Sequence, residues 1–143
     1  SQDRPAQPQP APKAPAPGSP ATYKANAELQ AVLAKAMAGT TEMVSSPVAN
    51  TDQYRVNIVH RQKPAGAIAH PGNTELHYII DGAGTLVTGG TIVRAPGAAA
   101  GSATINGGET RQVAKGDVVI VPEGSPHWYS RVDGKLTYLE VRF

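Results

Sequence analysis

A change of period halfway along the chain restricts the fold more than any other feature. From residue 54 onward, apolar residues recur at every second position. YRVNIVHR, TELHYII, GTLVT, GTIV, ETRQVA, DVVIVP, HWYSRV and KLTYLEVRF all read as short strands rich in Val, Ile, Tyr and Thr. PAG, PGN, DGAG, GG, NGG, KGD, PEGSP and DG punctuate them, each a turn signal. Many short strands joined by tight turns favour a sandwich or closed barrel, in which few edges stay exposed. The expected barrel occupies 54–143, with APGAAAGSA (95–103) as a mobile loop interrupting it.

Before residue 54 the chain behaves differently. YKANAELQAVLAKAMAG (23–39) places Leu29, Val32, Leu33 and Met37 at helical spacing, and Gly39 supplies a stop, so a helix over 23–38 is expected to pack on the sheet. Residues 1–20 contain seven prolines, alternating with Ala, and almost nothing that packs. They read as a disordered, extended leader ahead of a single domain over 21–143.

Composition closes off several functions. The net charge is +2, with no Lys/Arg block interleaved with aromatics, so no nucleic-acid partner is expected. No run of about 18 apolar residues is present, so no membrane span is expected. Cysteine is absent, which removes disulfides, thiolate metal sites and cysteine nucleophiles together. The first residue is Ser1, read here as the start of a trimmed chain, either a mature exported protein or an edited sequence. With the proline-rich leader, this points to a secreted or periplasmic location.

Two of the four histidines fall within HPGNTELHYIIDG (70–82), a strand-like segment. Side chains at i and i+2 of a strand share a face, so Glu75, His77 and Ile79 lie together. His70 precedes the PGNT turn, and His127 follows PEGSP with Tyr129 on its own face. Three imidazoles and one carboxylate can thus converge inside a barrel, a donor set suited to Fe, Mn, Zn, Ni or Cu as divalent ions. His60 shares a face with Val56 and Ile58 and reads as a core or rim residue. Arg131 continues the series His127–Tyr129, so it either binds a substrate carboxylate at the barrel mouth or is a solvated rim residue. Trp128 should point the other way.

The segment Gly66-AIA-His70-PGNT-Glu75-LHYIID-Gly82 resembles the first motif of the cupins, and Gly116-DVVIV-Pro122-E-Gly124-SP-His127 resembles the second. His70 matches the second histidine of the first motif, with Glu75 and Gly82 in step; Ile68 stands where the first histidine should be. The second motif is met without a gap, although Arg131 stands where asparagine often follows. The resemblance implies an all-β cupin-type double-stranded β-helix, or jelly-roll barrel, with one N-terminal α-helix. It also implies one divalent transition-metal ion per chain. His70, Glu75, His77 and His127 are the expected ligands, with His77 replacing the missing histidine from a neighbouring position; its other possible roles are a hydrogen-bond donor to a ligand or a base. Tyr129 is the candidate proton donor. The expected function is a metal-dependent enzyme acting on a small molecule, with oxygenase chemistry favoured over lyase or isomerase chemistry. A non-catalytic small-molecule or metal-binding module is the alternative. The expected partners are a small-molecule substrate or ligand and a second copy of the chain in a homodimer.

Overall fold

The structure, a computed structural model, describes residues 6–39 and 42–143. Among the described residues one α-helix, α1 (Asn26–Met37), precedes eight strands: β1 (Met43–Asn50), β2 (Arg55–Arg61), β3 (Glu75–Thr88), β4 (Thr91–Val93), β5 (Thr104–Asn106), β6 (Glu109–Ala114), β7 (Val118–Val121) and β8 (His127–Arg142). This is the expected all-β barrel with one N-terminal helix. The main sheet runs β1-β2-β8-β3-β6, with β7 also paired to β3; β4 and β5 form a separate ribbon.

Two long antiparallel strands organise the whole. β3 and β8 pair from Glu75↔Arg142 to Thr88↔His127. Each joins two segments that the sequence reads as separate strands, because DGAG and DG bend the ladder without ending it. The register slips between Ile79 and Asp81 and between Gly82 and Gly84. Glycine is required there: a Cβ on Gly82, whose φ is +82°, would sit 2.0 Å from the Lys135 carbonyl oxygen, and one on Gly84 would sit 2.5 Å from that of Arg131. The bend folds the sheet over a core of Val59, Ile79, Leu86, Val113, Tyr129, Leu136 and Tyr138.

The sheet begins earlier than the expected residue 54. β1 lies on the edge of the sheet, where Pro47 is tolerated and coincides with a register shift before Ala49. Val44 and Ser46 are buried, but the Ser-Ser-Pro centre hides the alternation. α1 is shorter at both ends than expected. It buries Leu33 and half-buries Leu29, while Val32 stays 49% exposed, so its apolar stripe is narrower than the spacing suggests. At its start the Glu28 carboxylate accepts from the Ala25 N–H at 2.9 Å.

The 95–103 segment contains a 3-10 turn, Ala100–Ser102, and buries Ala103, whose carbonyl accepts from the Ala67 N–H at 2.8 Å. Of the leader, residues 1–5 lie outside the described residues. Residues 6–16 have no regular secondary structure and are mostly exposed, yet Asp52 ties them down: its N–H donates to the Pro12 carbonyl and its carboxylate accepts from the Ala14 N–H, both at 2.8 Å.

Candidate metal centre

Glu75 begins β3 and His127 begins β8, at opposite ends of the paired ladder. A straight ladder of that length would separate them by roughly 40 Å. Bending at Gly82 and Gly84 brings Glu75 Oε2 to 3.5 Å from His127 Nε2. Two loops complete the approach. The His70 carbonyl accepts from the Gly124 N–H at 3.3 Å, joining the PGNT turn to the PEGSP turn. Ile68 and His127 also exchange backbone hydrogen bonds of 3.0 and 2.9 Å. His70 Nδ1 thereby reaches 2.5 Å from Glu75 Oε2.

Strand alternation places the inward residues as expected. Glu75 and His77 are each 1% exposed and Ile79 is fully buried, while Tyr78 faces outward. His127 and Tyr129 are buried; Trp128 takes the other face. The two oxygens of Glu75 serve different neighbours. Oε2 faces His70 and His127, whereas Oε1 faces His77 Nε2 at 3.1 Å and Arg142 Nε at 3.9 Å. His77 in turn lies 3.9 Å from Glu140 Oε2.

Two overlapping donor groups result: His70, Glu75 and His127, and Glu75, His77 and Glu140, with the donor atoms of each within 4.8 Å of one another. Ligands held about 2.1 Å from one ion stand roughly 3 to 4 Å apart. Glu75 Oε2 and His127 Nε2, 3.5 Å apart, meet that spacing, and His70, now hydrogen-bonded to Glu75 at 2.5 Å, would draw back slightly to admit an ion. Protonation suits it as well. His127 donates Nδ1–H to the Ser125 carbonyl at 3.2 Å, which leaves the Nε2 lone pair facing inward. Burial lowers its pKa, against the raising field of Glu75, and favours the neutral imidazole that ligation needs. Burial also opposes ionisation of Glu75. Hydrogen bonds from His70 and His77, with the fields of His127 and His70, outweigh that and hold its carboxyl well below the usual carboxylate range. The described residues therefore contain a buried His/Glu triad suited to one divalent ion.

Tyr129 is not at the open side of this triad. Its hydroxyl lies 2.7 Å from His77 Nδ1, behind the imidazole. Burial, with the neighbouring Tyr138, pushes the Tyr129 pKa far up, so the phenol stays protonated and donates to His77. His77, stacked on Tyr138 with centroids 4.6 Å apart, then turns Nε2–H toward Glu75. Arg131 is exposed and paired with Asp133 at 2.7 Å, away from the cluster. His60 faces away from Val59 and Arg61, its Nδ1 2.7 Å from the Thr137 hydroxyl.

A cavity of about 170 Å³ opens beside His70 and His127, walled by Met43, Val59, Ile68, Arg61, Glu140 and Arg142 among others. Glu140, Arg142 and Arg61 were not singled out in the sequence. The inward alternation Tyr138–Glu140–Arg142 at the end of β8 was the available signal for the first two.

A family model described as Cupin matches residues 39–133. The chain belongs to the cupin family. Solved structures share the fold of this cupin at low identity. Hydroxypropylphosphonic acid epoxidase from S. wedmorenis superimposes with a TM-score of 0.57 at 13% identity, covering 73% of this chain and 52% of that one. A structure described as FeII HppE gives 0.56 at 14%, covering 71% and 50%. A candidate mannose-6-phosphate isomerase from Ralstonia eutropha JMP134 gives 0.53 at 15%, covering 73% and 86%. The cupin thus spans about half the length of the epoxidase. No curated protein matches it by sequence.

Proposed function

We propose that this metal-binding cupin is an enzyme acting on a small molecule, with oxygenase-type chemistry favoured over lyase or isomerase chemistry. One observation carries the reading: His70 and His127 line an open cavity while Glu75, which both approach, lies buried beneath them. A site closed on all sides by protein donors would suit a structural ion; three donors at the floor of a cavity leave room for a reactant. In this reading His70, Glu75 and His127 hold the ion, and the Glu75 carboxylate offsets part of its charge. The ion supplies Lewis acidity and, as iron, an electron source for dioxygen chemistry. His77, its tautomer fixed by the Tyr129 hydroxyl, orients Glu75 through the second carboxylate oxygen. Met43, Val59 and Ile68 provide the apolar side of the cavity.

The same reading keeps 21–143 as the domain and 1–20 as a leader of an exported protein, supported by the prolines of that segment. The functional test is reconstitution of metal-free protein with Fe(II), Mn(II), Ni(II), Cu(II) and Zn(II) in turn. Each form is assayed for oxygen uptake and for elimination products against small acids, enols and phenols. Turnover in the iron form with oxygen consumption is the expected result. Tight ligand binding without turnover in every form would make the protein a binding module.

A further inference from the structure

Arg61 and Arg142 line the cavity beside the centre, whereas Arg131 is exposed and away from it. Arg131 is paired with Asp133 at 2.7 Å, and Arg142 donates to Glu140 at 2.9 Å with Glu75 3.9 Å away. Arg61 is different. It comes from β2, lines the same cavity as His70 and His127, and among the described residues its guanidinium makes a single hydrogen bond, from Nε to the Tyr138 hydroxyl at 3.1 Å. Its Nη1 is shut off from solvent and has no hydrogen-bond partner. Nη1 is therefore closed to a ligand as well, and the guanidinium carbon lies 5.7 Å from the Tyr129 ring centroid. What Arg61 presents beside His70 and His127 is the rest of its side chain, which brings a positive charge to the cavity wall.

Charge leads to the same conclusion. Around the cavity the carboxylates of Glu75 and Glu140 balance the guanidiniums of Arg61 and Arg142, so a divalent ion would leave two positive charges uncompensated. The cavity, about 170 Å³ in volume, suits a small ligand.

We infer that Arg61 is the anchor for a small oxyanion, placing a short-chain acid between its guanidinium and the His70–Glu75–His127 centre, with the acid's apolar tail against Met43, Val59 and Ile68. A guanidinium fork donates to carboxylate and phosphate oxygens alike, and both belong to the ligand chemistry assigned here. The inference rests on the proposed function for its metal but not for Arg61 itself.

Calorimetric titration of the Zn(II)-loaded and metal-free full chain with lactate, its neutral analogue lactamide, and inorganic phosphate provides the test. Wild type should prefer at least one of the two anions over lactamide by about ten- to a hundredfold, the size of a charge-assisted hydrogen bond. Arg61→Gln should lose that preference with lactamide affinity and metal content unchanged, and Arg61→Lys should keep part of it. Whether lactate or phosphate carries the preference identifies the oxyanion. Anion binding that needs Arg61 but not the metal would retain the anchor and remove the metal reading. Equal anion affinity in wild type and Arg61→Gln would overturn the proposal. If Arg61→Gln does not fold, the wild-type comparison decides alone: no preference for either anion over lactamide overturns it.

Discussion

The Tyr129 hydroxyl meets His77 Nδ1 at 2.7 Å, and through that imidazole it reaches the far oxygen of Glu75. Tyr129→Phe should leave a buried imidazole nitrogen without its donor and cost about 1–3 kcal/mol in denaturant unfolding. Because the phenol positions rather than faces the cavity, the variant should still bind metal, with weaker affinity. Full stability together with complete loss of turnover would instead restore Tyr129 as a proton donor.

Metal binding should follow the donor geometry. Native protein should carry about one divalent ion per chain, and a chelator should lower its melting temperature, since an ion bound only to the folded state stabilises it by mass action. His70→Ala and His127→Ala should abolish binding, and His60→Ala should leave it intact. His77→Ala should retain an ion with reduced affinity; total loss would put His77 among the ligands. Elemental analysis after dialysis reads each outcome.

The bend in the ladder can be tested at two glycines of similar backbone. Gly82 and Gly116 have φ of +82° and +92°, but a Cβ on Gly116 meets nothing within 4 Å. Gly116→Ala should cost about 1–2 kcal/mol, the strain of the left-handed region alone. Gly82→Ala adds a collision with the Lys135 backbone and should cost roughly 3 kcal/mol or more. Since this bend carries Glu75 to His127, metal affinity should fall in the Gly82 variant only.

Acid should destabilise the fold partly through His60. Burial and the Lys135 charge lower its pKa below the usual 6.5, against the raising field of Asp81, so the folded state binds the proton less readily than the unfolded chain. Stability therefore falls as pH drops below about 6.5, by at most about 1.4 kcal/mol per pH unit, and levels off below the folded-state pKa. His60→Gln should flatten that part of a stability-versus-pH curve. An unchanged slope would mean that His60 titrates alike in both states.

Much of the site was legible because strand alternation and turn position are local properties. Glu75 and His77 two apart, and His127 with Tyr129, declare their shared faces without any tertiary knowledge, and the glycine-rich turns mark where the chain reverses. The division of labour among those residues was not legible. It depends on which oxygen of Glu75 meets which imidazole, a matter of barrel closure over a register slip that no short window reveals. The same limit hid Arg61, which stands beside His60 in sequence but across the strand from it. β1 escaped because two serines and a proline interrupt its apolar alternation, and an edge strand tolerates that interruption. The leader looked free because proline and alanine offer little to pack, yet it is pinned by Asp52 through main-chain groups, which composition does not reveal.

Ile68 keeps its backbone paired with His127 while carrying a side chain that donates nothing to an ion. Opposed residues in such a pair hold their Cβ atoms about 5 Å apart, so the position stays within reach of the centre although its chemistry has changed. With one imidazole fewer, the proposed site keeps fewer protein bonds to an ion and gives it up more easily. Exchange with the surroundings then matters more than selectivity built into the barrel, and the metal found in the protein will track what its compartment supplies.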